Sequence, residues 1–282
     1  MKKLLIRTLS GAVYVMIVIG SIYCGRLLDG LCEHPYGIGL AVFTTVFFLI
    51  GIIGVHEVTR NLKIKGFVCN EPAAFIIATI TYAMLVTYNF DPQLGLRFRY
   101  MLPALLACAA LAQLWRKDEH PFATIGYSIL PTLWVMVPMA MMAILQQMGL
   151  MIMVFILIWV NDSFAYMTGM LFGRHKMWER HSPNKTWEGT IGGALFCIAT
   201  AEIFGPMFNI IGMQIGWIDW LFIGLICSTL GTLGDMVESM FKRSCGVKDS
   251  GNIMPGHGGV LDRFDSLLMA VPFIVAYLLL AN

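Results

Sequence analysis

Charged residues are scarce in this chain of 282 residues. Asp, Glu, Lys and Arg together make up 13% of it, whereas apolar residues make up 58%. Soluble domains carry roughly 25% charged residues, so the composition excludes an ordinary soluble protein and indicates a polytopic membrane protein. The net charge of +2 gives no indication of a nucleic-acid partner, and we expect none.

The chain also lacks any cysteine pattern. Its seven cysteines are scattered without a C-x-x-C pair, which argues against a disulfide framework and against a zinc site. Several of them fall inside apolar runs, as expected for small buried side chains. Internal repeats and low-complexity segments are absent from the sequence as well.

Apolar runs of the length that a membrane helix needs, about 20 residues, occur nine times. They lie at 8–24, 37–55, 72–90, 100–115, 122–145, 149–172, 189–210, 216–234 and 264–281. We therefore predict an all-α polytopic membrane protein with about nine transmembrane helices in one integral-membrane domain, 1–282. Residues 1–150 are expected to supply N-terminal membrane helices, and residues 151–282 the catalytic helices and cytoplasmic loops.

The basic start of the chain, followed by the first apolar run, resembles a signal peptide. No A-x-A site follows it, so we expect an uncleaved first helix. If the N-terminus is cytoplasmic and nine helices alternate, all Lys and Arg residues except Arg26, Arg97 and Arg99 fall on the cytoplasmic side. Because cytoplasmic loops carry an excess of Lys and Arg, we predict this orientation, with a periplasmic C-terminus. The long polar loops 173–188 and 235–263 then face the cytoplasm, where nucleotides are found.

Two polar patches lie at this predicted cytoplasmic edge. Asn161 and Asp162 interrupt the sixth apolar run, and an ionisable residue there usually faces a polar cavity or a partner. The loop from His181 to Gly189 carries Lys185 and Thr186 before the next run, where a helix N-terminus would attract phosphate. The plainer interpretations are a structural pair for Asp162 and an ordinary basic loop for the second patch.

A third patch, from Asp235 to Asp265, is the richest in chemistry. In a helix, Asp235, Glu238, Ser239 and Lys242 would share one face, and Asp262 and Asp265 are also three residues apart. Carboxylates from two helices suit Mg²⁺, basic side chains could hold phosphate, and the glycines would allow close backbone approach. The plainer interpretation is a solvated loop with ion pairs such as Glu238–Lys242. His257 could contact phosphate, transfer a proton or cap a turn.

This third patch resembles the signature of the phosphatidate cytidylyltransferases, or CDP-diacylglycerol synthases. The matching residues are Ser239, Lys242-Arg243, Lys248-Asp249, Pro255, His257-Gly258-Gly259, Asp262-Arg263 and Asp265. The segments NDSFAY, FGRHK and SPNKTWEG are also similar to the family. The resemblance is specific over the C-terminal half and covers the first 150 residues only as membrane helices.

The resemblance implies that CTP and phosphatidate give CDP-diacylglycerol and pyrophosphate in a bacterial cytoplasmic (inner) membrane, with the active site facing the cytoplasm. It implies Mg²⁺ as the cofactor, with Mn²⁺ as a substitute and a second cation as an option, and a homodimer. The implied catalytic residues are Asp235, Lys242, Lys248, Asp262 and Asp265, of which Asp235, Asp262 and Asp265 would bind metal. The implied substrate-binding residues are Asn161, Asp162, Ser182, Lys185, Thr186, Ser239, Arg243, Asp249, His257, Gly258, Gly259 and Arg263.

Three other functions fit parts of the sequence. A related membrane enzyme could use CTP on another lipid phosphate or on an isoprenoid alcohol, although the full signature argues against it. A secondary transporter would place its site near the bilayer midplane on repeated, broken helices, whereas the charges here cluster at one edge. A nonenzymatic lipid-binding scaffold would not need paired carboxylates beside a glycine-rich loop.

Overall fold

The computed structural model describes residues 10–23, 37–98, 100–207, 215–253 and 258–281. The chain divides into two compact units. The first comprises residues up to Ile144 together with Ser244–Asp262, and the second comprises Leu145–Arg243 and Arg263 onward. The segment between the last two long helices therefore belongs with the N-terminal helices.

The helices of the N-terminal part follow the apolar runs. They are α1 Ser10–Tyr23, α2 Ile38–Ile64, α3 Glu71–Phe90, α4 Pro92–Phe98, α5 Met101–Gln113, α6 Pro121–Pro131 and α7 Val137–Gln147, with a π-helical turn, Thr132–Met136, between the last two.

The C-terminal part contains four long helices and one hairpin. The elements are α8 Met151–Phe172, β1 Lys176–Trp178, β2 Ser182–Thr186, α9 Trp187–Phe204, a 3₁₀ turn Gly205–Met207, α10 Trp217–Cys245 and α11 Leu261–Ala281. The two strands pair antiparallel, with Lys176 opposite Thr186 and Trp178 opposite Ser182. The loop 173–188, for which the sequence predicted no regular structure, thus forms a short hairpin.

The predicted all-α membrane architecture is confirmed. Within the described ranges, eight helical segments are long and apolar enough to cross a membrane, and the shorter apolar helix α1 corresponds to the first predicted run. The segment Pro92–Gln113 starts earlier than the predicted run 100–115, because α4 continues the apolar surface. The protein is therefore an integral membrane protein, whereas the side on which each terminus lies stays a prediction.

Local chemistry explains where several helices begin and bend. Asn70 caps α3 by accepting a hydrogen bond from the Ala73 N–H at 3.4 Å, as asparagine commonly does at helix starts. Pro131 has no N–H to donate to the carbonyl oxygen of Tyr127, four residues earlier. The π-helical turn begins directly after this proline, and the Cys69 thiol donates to the freed oxygen at 3.6 Å.

Close packing in the first unit depends on two glycines of α2. A Cβ atom at Gly51 would lie 2.5 Å from the sulfur of Met136, and one at Gly54 would lie 2.8 Å from Cγ1 of Val135. Real Cβ contacts are essentially never this short. The π-helical turn therefore packs directly on the backbone of α2.

We expect Gly54→Ala to destabilise the protein relative to Gly126→Ala. Both changes introduce the same methyl group into a helix and gain about 1 kcal/mol of helix propensity. Only the methyl at position 54 meets a stiff β-branched side chain, since nothing lies within 4 Å of a Cβ at Gly126. Overpacking of this kind costs about 1–3 kcal/mol. Thermal unfolding of both variants in detergent measures the difference, and equal midpoints would contradict the packing argument.

Candidate active site

The polar face of α10 is formed as the sequence spacing predicted. Asp235, Glu238, Ser239 and Lys242 lie on this helix at steps of three and four, which places them on one side. The Ser239 hydroxyl donates to Oδ1 of Asp235 at 3.4 Å. The Lys242 ammonium lies 2.5 Å from Oε2 of Glu238, so the expected Glu238–Lys242 ion pair is present.

Three carboxylates from α10 and α11 converge beside this face. One oxygen from each of Asp235, Glu238 and Asp265 lies within 4.8 Å of the other two. Glu238 is completely buried, and the two aspartates are partly buried. Among the residues that the structure describes, no other group of three or more His, Cys, Asp or Glu side chains lies close enough together to hold one metal ion.

A glycine allows the two helices to bring these carboxylates together. Gly234 directly precedes Asp235, and a Cβ atom there would lie 2.6 Å from the carbonyl oxygen of Asp265. The backbones of α10 and α11 are therefore in close contact at this level. The cluster depends on this approach, because a larger residue at position 234 would separate the helices.

The hairpin contributes a cation to the carboxylate cluster. Lys185 lies near the end of β2, and its ammonium is 2.7 Å from Oδ2 of Asp235. It also donates to the carbonyl oxygen of Thr232 at 3.1 Å. Lys185 is thus held at the site from two directions, which the sequence could not show because its partners lie about 50 residues away.

The next helix starts where the sequence predicted. The Thr186 hydroxyl caps α9 by accepting from the Gly189 N–H at 3.2 Å. On the neighbouring α8, the Asn161 side chain donates to the Thr232 hydroxyl at 3.2 Å. Asp162 is exposed and lies within electrostatic range of Lys185, Asp235 and Arg263. The structure therefore brings the first two polar patches to the carboxylate cluster.

Asp262 makes a different set of contacts. Its Oδ2 atom accepts hydrogen bonds from the Ser250 N–H at 3.0 Å, the Ser250 hydroxyl at 2.9 Å and the Gly259 N–H at 2.7 Å. These bonds close the segment between α10 and α11. Its expected role as a metal ligand stays a prediction.

The remaining predicted residues lie on the surface or outside the described ranges. Arg243, Lys248, Asp249 and Arg263 are exposed, as expected for groups that meet a soluble nucleotide, and Ser182 opens β2. Gly258 has a φ of 82° and faces Asp262. His257 and Pro255 lie outside the described residues. The catalytic role of Lys248 and the substrate-binding roles of the others stay predictions; Pro255 was given no role of its own.

Sequence reasoning missed two carboxylates. Glu238 was left out of the implied metal ligands, but it belongs to the carboxylate cluster as well as pairing with Lys242. Glu57 was not singled out, because it follows the predicted apolar run 37–55, but α2 continues to Ile64 and leaves Glu57 only 1% exposed. The cost of burying an ionisable group in a membrane helix was the signal that could have identified it.

Comparison with known proteins gives consistent results. A phosphatidate cytidylyltransferase of Bacillus subtilis (strain 168) is 36% identical over 251 residues, which cover 86% of this chain and 90% of that protein. A phosphatidate cytidylyltransferase of Staphylococcus aureus (strain COL) is 48% identical over 122 residues, which cover 43% of this chain and 45% of that protein. The model of the cytidylyltransferase family matches residues 6–281, nearly the whole chain. The resemblance found in the sequence is confirmed, and this protein belongs to the cytidylyltransferase family.

Proposed function

We propose that this protein is a phosphatidate cytidylyltransferase, which makes CDP-diacylglycerol and pyrophosphate from CTP and phosphatidate. The observation that carries this function is the cluster of Asp235, Glu238 and Asp265 with Lys185 and Lys242 beside it, built on apolar helices. Such an arrangement places paired charges where a lipid phosphate and a nucleotide can meet. The family and the relative that aligns over most of its length support the same activity.

The chemistry requires little from the protein beyond placement and charge. A phosphate oxygen of phosphatidate attacks the α-phosphorus of CTP, and the bond from that phosphorus to the bridging oxygen breaks as pyrophosphate leaves. The attacking phosphate is already ionised near neutral pH, so no general base is needed. Catalysis then depends on holding the reactants in line and neutralising their oxygens.

Lysines and arginines of the C-terminal part suit this task. Lys185 and Lys242 already contact carboxylates through their ammonium groups, and the same groups can contact phosphate oxygens. Arg243, Lys248 and Arg263 are exposed and can reach a soluble triphosphate. Charge-assisted hydrogen bonds from such groups are the strong ones in phosphate recognition.

The carboxylate cluster fits a divalent cation. Its three donors are hard oxygens within 4.8 Å of one another, which is the chemistry that Mg²⁺ prefers. We propose Asp235, Glu238 and Asp265 as the residues that hold it. When bound, the cation neutralises phosphate oxygens and stabilises the developing charge on pyrophosphate. Mn²⁺ offers a similar coordination preference, and a second cation could share the same carboxylates.

The site is proposed to face the cytoplasm of a bacterial inner membrane, because CTP is cytoplasmic and the Lys and Arg bias predicts that side. The homodimer implied by the resemblance also stays a prediction. An enzyme that uses CTP on another lipid phosphate or an isoprenoid alcohol is the nearest alternative, and a secondary transporter is the alternative from another class.

Purified protein in detergent with CTP, phosphatidate and Mg²⁺ is expected to release pyrophosphate and form CDP-diacylglycerol in equal amounts. Radiolabelled CTP with thin-layer separation of the lipids measures one product, and an enzyme-coupled assay measures the other. Dolichol-type alcohols and sphingoid phosphates serve as competing acceptors in parallel. Product from these acceptors alone would support the nearest alternative, and no product from any acceptor would contradict the enzymatic function.

Glu238→Gln, Asp235→Asn and Asp265→Asn are each expected to lower turnover by about 100-fold or more. Each removes a negative charge from the cluster while preserving side-chain size, and bound metal contributes several kcal/mol of charge stabilisation. The Mg²⁺ concentration for half-maximal activity should rise in the same variants. Asp219→Asn is the matched control, because Asp219 lies at the other end of α10, and its amide oxygen could still accept from the Gly216 N–H while its NH2 group donates to the Tyr277 hydroxyl oxygen. Full activity of the three variants, or of metal-free wild type, would contradict the metal site.

A reporter fused after Asn282 is expected to behave as periplasmic. The expectation follows from a cytoplasmic N-terminus and an odd number of spans. Two separate fusions measure this orientation: a periplasmic C-terminus gives an active alkaline phosphatase fusion and a non-fluorescent green fluorescent protein fusion. The opposite pair of signals would place the C-terminus in the cytoplasm and contradict the proposed orientation.

A further inference from the structure

The side chain of Glu57 is buried in the first unit, in the second half of helix α2, where it is 1% exposed. An ionisable group inside an apolar helix is costly unless it has partners. Glu57 has three hydrogen-bond donors, all at 2.9 Å: the Ser250 hydroxyl, the Val260 N–H and the Leu261 N–H. All three belong to the segment 250–261, about 200 residues further along the chain.

Two of these donors lie at the start of helix α11. The first N–H groups of a helix have no partner within the helix, and the positive end of the helix dipole favours a carboxylate. Glu57 satisfies the Val260 and Leu261 N–H groups together through its two oxygens. It therefore caps α11 from a distant helix instead of from the preceding turn.

A second residue of α2 supports the same attachment. Asn61 lies one helical turn after Glu57 and is 2% exposed, and its side-chain amide donates to the carbonyl oxygen of Ser250 at 3.0 Å. Helix α2 thus holds Ser250 through both its hydroxyl and its carbonyl group. The Ser250 N–H donates to Asp262, and the Ser250 hydroxyl oxygen lies 2.9 Å from both Oδ2 of Asp262 and Oε2 of Glu57, so its one proton is shared between the two carboxylates. The signature aspartate is thus connected to Glu57 through one residue.

Two glycines of the signature region make room for the carboxylate. A Cβ atom at Gly251 would overlap Oε1 of Glu57, and one at Gly259 would overlap both Glu57 oxygens and the Ser250 hydroxyl. Any larger residue at either position would displace the carboxylate or the segment. These glycines therefore permit contact with Glu57, and neither needs a bound ligand to explain it.

We propose that Glu57 is a positioning residue for cytidylyl transfer, which holds Ser250 and the start of α11 in place and thereby orients Asp262. The expected effect of Glu57 on catalysis rests on the proposed function. Its structural basis does not depend on that function. The buried Glu57 carboxylate accepts hydrogen bonds from the start of α11 and from the Ser250 hydroxyl, and Asn61 donates to the Ser250 carbonyl oxygen. Lys248, the predicted catalytic residue, and Asp249, the predicted substrate-binding residue, directly precede Ser250.

The test compares Glu57→Gln with Glu71→Gln. Both changes replace a carboxylate by an amide of the same size in the first unit. Glu71 lies at the start of α3 and contacts Lys63 and His56, so it is a matched control outside the anchored segment. We expect Glu57→Gln to lower turnover of monodisperse protein by about 10- to 100-fold, as small displacements of reacting groups do, and Glu71→Gln to stay within about twofold of wild type.

Hydrogen–deuterium exchange distinguishes positioning from a general loss of stability. In Glu57→Gln, amides in peptides that cover residues 247–261 should exchange at least about tenfold faster, since one charged hydrogen-bond acceptor is lost. Peptides from α3 and α8 should be unchanged. Faster exchange in all helices would show a structural role only and would overturn the proposal, as would unchanged exchange at 247–261.

Asn61→Ala provides a second, milder variant if Glu57→Gln does not fold. It removes one hydrogen bond to Ser250 and leaves the carboxylate in place, so we expect faster exchange at 247–261 with a smaller loss of turnover. Wild-type rates in both measurements would overturn the anchoring role of α2. If wild-type protein forms no CDP-diacylglycerol, the proposed function fails, whereas the exchange experiment still decides whether Glu57 anchors the segment.

Discussion

The cost of placing carboxylates within apolar helices governs the polar architecture of this protein. An ionised group removed from water needs a partner of opposite charge or several hydrogen-bond donors. Three of the described carboxylates meet this requirement in two ways. Asp235 and Glu238 are paired with the ammonium groups of Lys185 and Lys242, whereas Glu57 is surrounded by one hydroxyl and two backbone N–H groups.

The two solutions have different chemical consequences. An ammonium group at the end of a flexible side chain can exchange a carboxylate for a phosphate oxygen, because both acceptors are anionic oxygens. Lys185 and Lys242 therefore remain available for an arriving substrate. Backbone N–H groups at the start of a helix cannot move away without unwinding it. The partners of Glu57 are consequently suited to hold a segment in place, and those of Asp235 and Glu238 are suited to chemistry.

Local periodicity made much of this predictable. The spacing of Asp235, Glu238, Ser239 and Lys242 indicated one helix face, and Thr186 indicated the start of α9; both are found. The pairing of Lys185 with Asp235 and of Glu57 with Leu261 could not be predicted, because the partners are about 50 and 200 residues apart. No periodic pattern specifies which helices become neighbours. The hairpin 176–186 was missed because its strands have only three and five residues, too few for the alternation that indicates a buried strand.

The glycines of the signature show why a sequence pattern alone leaves roles open. A glycine is required wherever another group approaches the backbone closely or φ is positive, and the sequence does not show which group that is. Gly258 has a positive φ, and Gly251 and Gly259 approach the Glu57 carboxylate. Glycines that indicated a close backbone approach thus also permit contact with a buried side chain of the same protein. Because the Ser250 hydroxyl contacts both that side chain and Asp262, the carboxylate that Gly251 and Gly259 accommodate is only one residue removed from the signature aspartate.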